Sequence, residues 1–213
     1  MGSVSVKVCG VTRLKDASLA LALGAEKLGF ILHEKSPRKI EFEDLNKFKT
    51  ELSLTSKQMV AVEVVPAIED VKKMIAHGFG CFQFHFPYDL SRKYIEEWAE
   101  MIGVENLWLA PRIPAGVDFP EDLLCLANTF LVDSYSEDKF GGTGKCSDWE
   151  QFTAWQNSFP SKKWILAGGL SPLNIQDAIK NTLVRTVDVN SGVEQSPGVK
   201  DHQKLRDFFT KIS

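Results

Sequence analysis

The sequence predicts an α/β fold, a single (β/α)8 barrel over residues 1–213, and three observations carry that expectation. Short apolar, β-branched runs alternate with helical patterns along the whole chain, eight of each are found, and no composition shift, Ser/Pro-rich linker or low-complexity segment divides them. Such alternation means parallel strands covered by helices, and a count of eight permits closure into a ring near the small end of that architecture's size range. An open doubly wound sheet is the alternative, and the lack of G-x-G-x-x-G after the first strand weighs against its dinucleotide-binding version.

Taken in order, Val4 to Gly10 alternates as a strand, and Arg13 to Ala25 sets Leu14, Ala17, Ala20, Leu21 and Gly24 at helical spacing. Lys27 to Leu32 is the second strand, followed by a Ser36-Pro37-Arg38 turn and a helix starting near Glu41. Gln58 to Val65 is a Val-rich strand, Pro66 suits the first turn of the next helix, and Cys81 to His85 is again a strand. Ser91 to Ile102 reads as helix, Asn106 to Ile113 as strand, Pro120 to Ala127 as helix and Thr129 to Tyr135 as strand. Ser147-Asp148-Trp149-Glu150 offers a capping box for the helix that follows. Lys162 to Gly169 is the seventh strand, Ser171-Pro172 supplies an N-cap and first-turn proline for Leu173 to Asn181, and Arg185 to Ser191 is the eighth strand. The last helix, Val199 to Ile212, places Val199, His202, Leu205, Phe208, Phe209 and Ile212 on one face.

Composition narrows the function classes. The net charge of −3 comes with scattered basic residues, so no footprint for nucleic acid or an anionic membrane is present. Cys9, Cys81, Cys125 and Cys146 form no C-x-x-C pair, and His33, His77, His85 and His202 form no ligand cluster, which argues against structural zinc. No apolar run approaches a membrane span and no signal segment opens the chain, so a cytoplasmic location is expected. Composition leaves monomer and homodimer both open.

The most informative stretch runs from Thr129 to Lys145. An apolar run delivers Asp133 and gives way to Gly141-Gly142-Thr143-Gly144-Lys145, a strand, an acid and then glycines whose backbone N–H groups can approach a phosphate. The Walker pattern fails, with Lys139 and Cys146 where Gly and Ser or Thr are required. An acid beside a phosphate cradle suggests sugar-phosphate chemistry. In a barrel of this class the chemistry sits at the carboxyl ends of the strands, and a phosphate commonly lies after strands seven and eight. Cys9, Arg38, His85, Arg112, Asp133, Gly168-Gly169 and Ser191-Gly192 fall at such ends. Strand alternation puts Lys7 on the face of Cys9, one layer deeper, with Asp188 as its neighbour once the ring closes. A cation there favours the thiolate, and an ion pair with Asp188 weakens that help. Each residue alone has a plainer reading: Cys9 as a small buried hydrophobe, Gln83 and His85 as a satisfied inward pair, Arg38 as a solvated charge, the glycines as turns.

Together these segments resemble the phosphoribosylanthranilate isomerase family, barrel enzymes of tryptophan biosynthesis, nearly end to end. Lys7-Val8-Cys9-Gly10-Val11-Thr12-Arg13 is similar to that family's first-strand signature and Ser36-Pro37-Arg38 to its second loop. Gln83-Phe84-His85 is similar to its fourth-strand motif, and Leu131-Val132-Asp133-Ser134 with Gly141-Gly142-Thr143-Gly144 to its sixth. Leu166-Ala167-Gly168-Gly169-Leu170, Asp188-Val189-Asn190-Ser191-Gly192-Val193-Glu194 and Pro197-Gly198-Val199-Lys200-Asp201 complete the pattern.

The resemblance implies a TIM-barrel isomerase that performs an Amadori rearrangement, converting the aminoaldose N-(5-phosphoribosyl)anthranilate to the aminoketose 1-(2-carboxyphenylamino)-1-deoxyribulose 5-phosphate. It implies a phosphosugar substrate and no metal or cofactor. Carried over by motif, Cys9 is the general base and Asp133 the general acid. Arg38 binds the anthranilate carboxylate, His85 contacts substrate as a weaker carry-over, and Gly142, Gly144, Gly168, Gly169, Ser191 and Gly192 bind the phosphate. Such an acid/base pair requires a carboxyl that keeps its proton and a thiol that loses it easily. Two positions depart from the family pattern: Phe86 stands where Gly is usual, and Glu63 where the third strand is usually apolar. The rival readings are a histidine-pathway aminoaldose isomerase, which uses two aspartates and is disfavoured by Cys9, and a non-catalytic phosphate-binding barrel.

Overall fold

The computed structural model describes residues 3–114, 116–133 and 149–212. Eight parallel strands close into a barrel in chain order: β1 (Ser5–Val8), β2 (Lys27–Ile31), β3 (Met59–Val64), β4 (Cys81–Pro87), β5 (Leu107–Arg112), β6 (Thr129–Val132), β7 (Lys163–Leu166) and β8 (Thr186–Val189). Closure rests on β1 pairing with both β2 and β8, with Lys7 directly opposite Asp188. The open-sheet alternative is thereby set aside. Helices α1 (Leu14–Ala22), α2 (Phe42–Leu52), α3 (Ile68–Ala76), α4 (Arg92–Ile102), α5 (Trp149–Ser158), α6 (Ile175–Thr182) and α7 (His202–Ile212) follow the strands, save that β5 is followed by a 3-10 segment, Glu121–Cys125. Strand alternation splits the apolar residues into two cores. Val60, Val62, Trp108, Leu131 and Ile165 fill the ring, while Phe30, Phe84, Phe86 and Phe130 face outward into the helix layer.

Four expectations need correction. Pro120 to Ala127 is not an α-helix: the segment is short, only Leu123 of its 3-10 core is buried, and one tight turn is enough to cover that residue. Pro66 does not open α3. It precedes the N-cap Ala67 and its carbonyl accepts the Trp98 indole N–H at 3.2 Å. Ser171-Pro172 does not start α6, because Asn174 Oδ1 accepts the Ser171 backbone N–H at 2.8 Å and closes a separate turn before Ile175. Val199 does not belong to the last helix. Ser191–Val193 forms a 3-10 turn, then β9 (Glu194–Ser196) and β10 (Val199–Lys200) make an antiparallel hairpin, and α7 begins at His202. Pro197 and Gly198, with φ +79° at the glycine, fit the two central positions of a type II turn.

Candidate active site

The carboxyl ends of the strands surround a cavity of about 650 Å³. Cys9, Arg38, His85, Asp133, Gly168, Gly169 and Ser191 all line it, so segments far apart in sequence meet at one mouth. Gly142 and Gly144 lie outside the described residues, as does the capping serine Ser147. Gly192 is not part of the cavity wall. A Cβ there would stand 1.9 Å from the Leu170 carbonyl oxygen, so the missing side chain lets the turn after β8 press against the loop after β7.

Cys9 follows β1 and is buried. Beneath it the Lys7 ammonium donates to Asp188 Oδ2 at 2.9 Å, both side chains being withdrawn from solvent. Burial pulls Lys7 down, but the Asp188 carboxylate and the Cys9 thiol outweigh it and hold the ammonium above the ordinary lysine range. The thiol itself is pushed up, first by burial and then by the Asp188 charge, against the opposing pull of Lys7 and Lys200. Burial and the Asp188 charge therefore make the thiol harder to ionise than the acid/base scheme requires. The approach of these groups depends on Gly29 in β2, whose imagined Cβ would lie 2.7 Å from Cys9 Sγ and 2.9 Å from Lys7 Nζ. Gly29 carried no role in the sequence analysis, although a glycine inside a strand is a mark of such close approach.

Arg38, in the loop after β2, is not a solvated charge. Its Nε donates to Glu194 Oε1 and Oε2 at 3.0 and 3.1 Å, and its Nη2 donates to Oε2 at 2.8 Å. Glu194 also accepts from Lys200 Nζ at 3.0 Å and from the Gly198 backbone N–H at 3.1 Å. Burial pushes the Glu194 carboxyl up, and Arg38 and Lys200 outweigh it to hold the group below the usual range. Lys200 is pulled below the ordinary lysine range by its own burial. Neither Glu194 nor Lys200 had a role in the sequence reading, since their burial beneath a hairpin turn leaves no periodic signal.

Across the mouth, Gln83 Nε2 and His85 Nε2 lie 2.8 Å apart, the inward pair the alternation suggests. Burial, then the charges of Lys7 and His33, lower the His85 pKa to about 4, which keeps the ring neutral at physiological pH. The two departures from the family pattern also find places. Phe86 points into the helix layer and packs edge-on to Trp98 at 5.9 Å, away from the cavity. Glu63 lines the cavity and sits 2.7 Å from His33 Nδ1, with burial pushing its carboxyl up against the help of that ring and the Val64 N–H. Asp133 immediately follows β6, half-buried at the mouth. Gly168 and Gly169 take φ of +84° and +66°, a backbone shape open to glycine, and turn the chain beside the cavity. Among the described residues no cluster of His, Cys, Asp and Glu is suited to a metal ion.

A family model described as N-(5'-phosphoribosyl)anthranilate (PRA) isomerase matches residues 6–211. The chain belongs to the phosphoribosylanthranilate isomerase family. A relative of that name from Syntrophus aciditrophicus is 37% identical over 207 residues, covering 97% of this chain and 86% of the relative. The crystal structure of phosphoribosyl anthranilate isomerase from Thermotoga maritima superposes with a TM-score of 0.79 at 30% identity over 98% of both chains. Another phosphoribosyl anthranilate isomerase structure, at 28% identity and a TM-score of 0.75 over 98% of both chains, is a complex with reduced 1-(o-carboxyphenylamino)-1-deoxyribulose 5-phosphate. Membership in the family agrees with the barrel and with the motifs that end its strands.

Proposed function

We propose that this chain catalyses the Amadori rearrangement of N-(5'-phosphoribosyl)anthranilate in tryptophan biosynthesis, with Asp133 as general acid and Cys9 as general base. The observation that carries the reading is that these two residues, 124 positions apart in a chain of this family, line one cavity. Asp133 gives a proton to the ribose ring oxygen, the ring opens, and the anthranilate nitrogen becomes an iminium. That cation acidifies the neighbouring carbon and adds positive charge near the Cys9 thiol. It favours the thiolate at the step that needs a base, which offsets the burial and the Asp188 charge that hold the proton on the sulfur. The thiolate takes the carbon-bound proton, and tautomerisation of the resulting enolamine gives the ketone.

Arg38 binds the anthranilate carboxylate in this scheme. Neutral His85 is a hydrogen-bonding contact for the open sugar chain, and the backbone at Gly168, Gly169 and Ser191 takes the phosphate. No step draws on a metal or cofactor. A cytoplasmic location goes with a biosynthetic role, and among the described residues no helix is long and apolar enough to cross a membrane. The test is the fluorescence of phosphoribosylanthranilate generated in the cuvette, which decays as the aminoketose forms. Asp133→Asn and Cys9→Ala are each expected to lower turnover by about 10²-fold or more while binding of the reduced product analogue persists. A flat trace from the wild-type protein refutes the activity, and wild-type rates in either variant refute the assignment of roles.

A further inference from the structure

The group that holds Arg38 is itself held. Glu194 accepts from two nitrogens of Arg38, from Lys200 Nζ and from the Gly198 N–H, and it is 6% exposed. Arg38 lines the cavity, whereas Glu194 and Lys200 stand behind it. The fork occupies Nε and Nη2 of Arg38 and leaves Nη1 outside it. An arginine on a loop is a long, flexible side chain, and a carboxylate anchored from behind at two points, by Lys200 Nζ and the Gly198 N–H, converts it into a planar donor of fixed direction. Charge supports the same conclusion. Two cations share one anion, so the cluster faces the cavity with a surplus positive charge despite the carboxylate within it.

We propose that Glu194 is a positioning residue that sets the selectivity of the site for a ring carboxylate, acting through Arg38 and not by touching the ligand. The proposal rests on the function argued above and adds the residue that makes Arg38 selective. Glu194→Gln tests it closely. The remaining oxygen can still accept from Lys200 and Gly198, but the new NH₂ faces Arg38 Nη2 donor to donor and the fork opens. Glu194→Asp keeps the charge that Arg38 and the buried Lys200 need and withdraws it by one methylene, so it serves where the glutamine variant does not fold.

The measurement is calorimetric binding of two probes, reduced 1-(o-carboxyphenylamino)-1-deoxyribulose 5-phosphate and the same molecule without its ring carboxyl. Wild-type protein is expected to prefer the carboxylated probe. In Glu194→Gln its affinity for that probe should fall about tenfold, the scale of one charge-assisted hydrogen bond, with affinity for the other probe unchanged. Glu194→Asp should show the same one-sided loss. Equal weakening towards both probes would mean a merely structural role and overturn the proposal, as would a preference that survives in the variants or is missing in the wild type. Wild-type protein that binds neither probe overturns the function reading and this proposal with it.

Discussion

The Cys9 thiol sits between opposing fields, the Lys7 ammonium that favours its ionisation and the Asp188 carboxylate that disfavours it, inside a wall that disfavours it further. Replacing Asp188 with Asn removes the negative field and frees Lys7 to act on the sulfur, so the thiol should ionise at lower pH than in the wild type. The pH profile of iodoacetamide alkylation at Cys9 reads this directly, and a profile that stays put or moves to higher pH would show that the pair does not govern the thiol. Removing one partner of a buried ion pair can destabilise a fold by about 3–5 kcal/mol, so the profile is taken at a temperature where circular dichroism shows the variant folded. At this scale the sequence was legible in placement. Two-residue alternation put Lys7 under Cys9, and ring closure supplied Asp188. The direction of the thiol's shift was not legible, because it depends on how deeply the sulfur is buried and on which neighbour lies nearer. Neither quantity is written in a strand pattern.

Among the elements, β1 to β8 were readable to within a residue or two at most ends because each is an apolar run bounded by turn signals. The connection after β8 was not. Val199, Leu205, Phe208, Phe209 and Ile212 satisfy a helical period, and the period concealed the Pro197-Gly198 turn that ends β9 and sends β10 back along it. Glu194 and Lys200 flank that turn, which is how one hairpin supplies both halves of the cluster behind Arg38. Gly198→Ala tests the hairpin as a unit. Its φ of +79° strains any residue with a Cβ, and the added carbon would lie 3.3 Å from the Thr12 side chain. A loss of about 1–2 kcal/mol in urea unfolding is expected, together with weaker binding of the carboxylated probe as Glu194 loses the Gly198 N–H. Unchanged stability would mean that the turn carries no strain and that the hairpin adapts freely.

For the whole molecule, ionisable groups at the mouth of the ring and in the layer around it make stability depend on pH. His85 is the clearest case. In the unfolded chain it takes a proton near its ordinary pKa of 6.5, while in the folded protein burial and the charges of Lys7 and His33 delay protonation to about 4. Between those values the unfolded state binds the extra proton, so stability falls as pH drops from 6.5 towards 4, by on the order of 3 kcal/mol for the full interval. The carboxylates held low by their partners, Asp16, Asp122 and Glu194, act in a different window. Their stabilisation is present above their unfolded pKa and is lost as pH falls through the lower folded values. Glu63 runs against His85, because a carboxyl pushed up by burial makes the folded state less stable as pH rises through its titration. A difference measurement separates these contributions. His85→Gln keeps a neutral hydrogen-bonding group beside Gln83 and removes only the titration of the ring, so urea unfolding at pH 6.5 and pH 4.5 should show a shallower loss in the variant than in the wild type. Parallel losses would mean that His85 protonates as readily in the fold as outside it. The neutral donor or acceptor assigned to it beside the open sugar chain would then be a cation across the acidic half of the range.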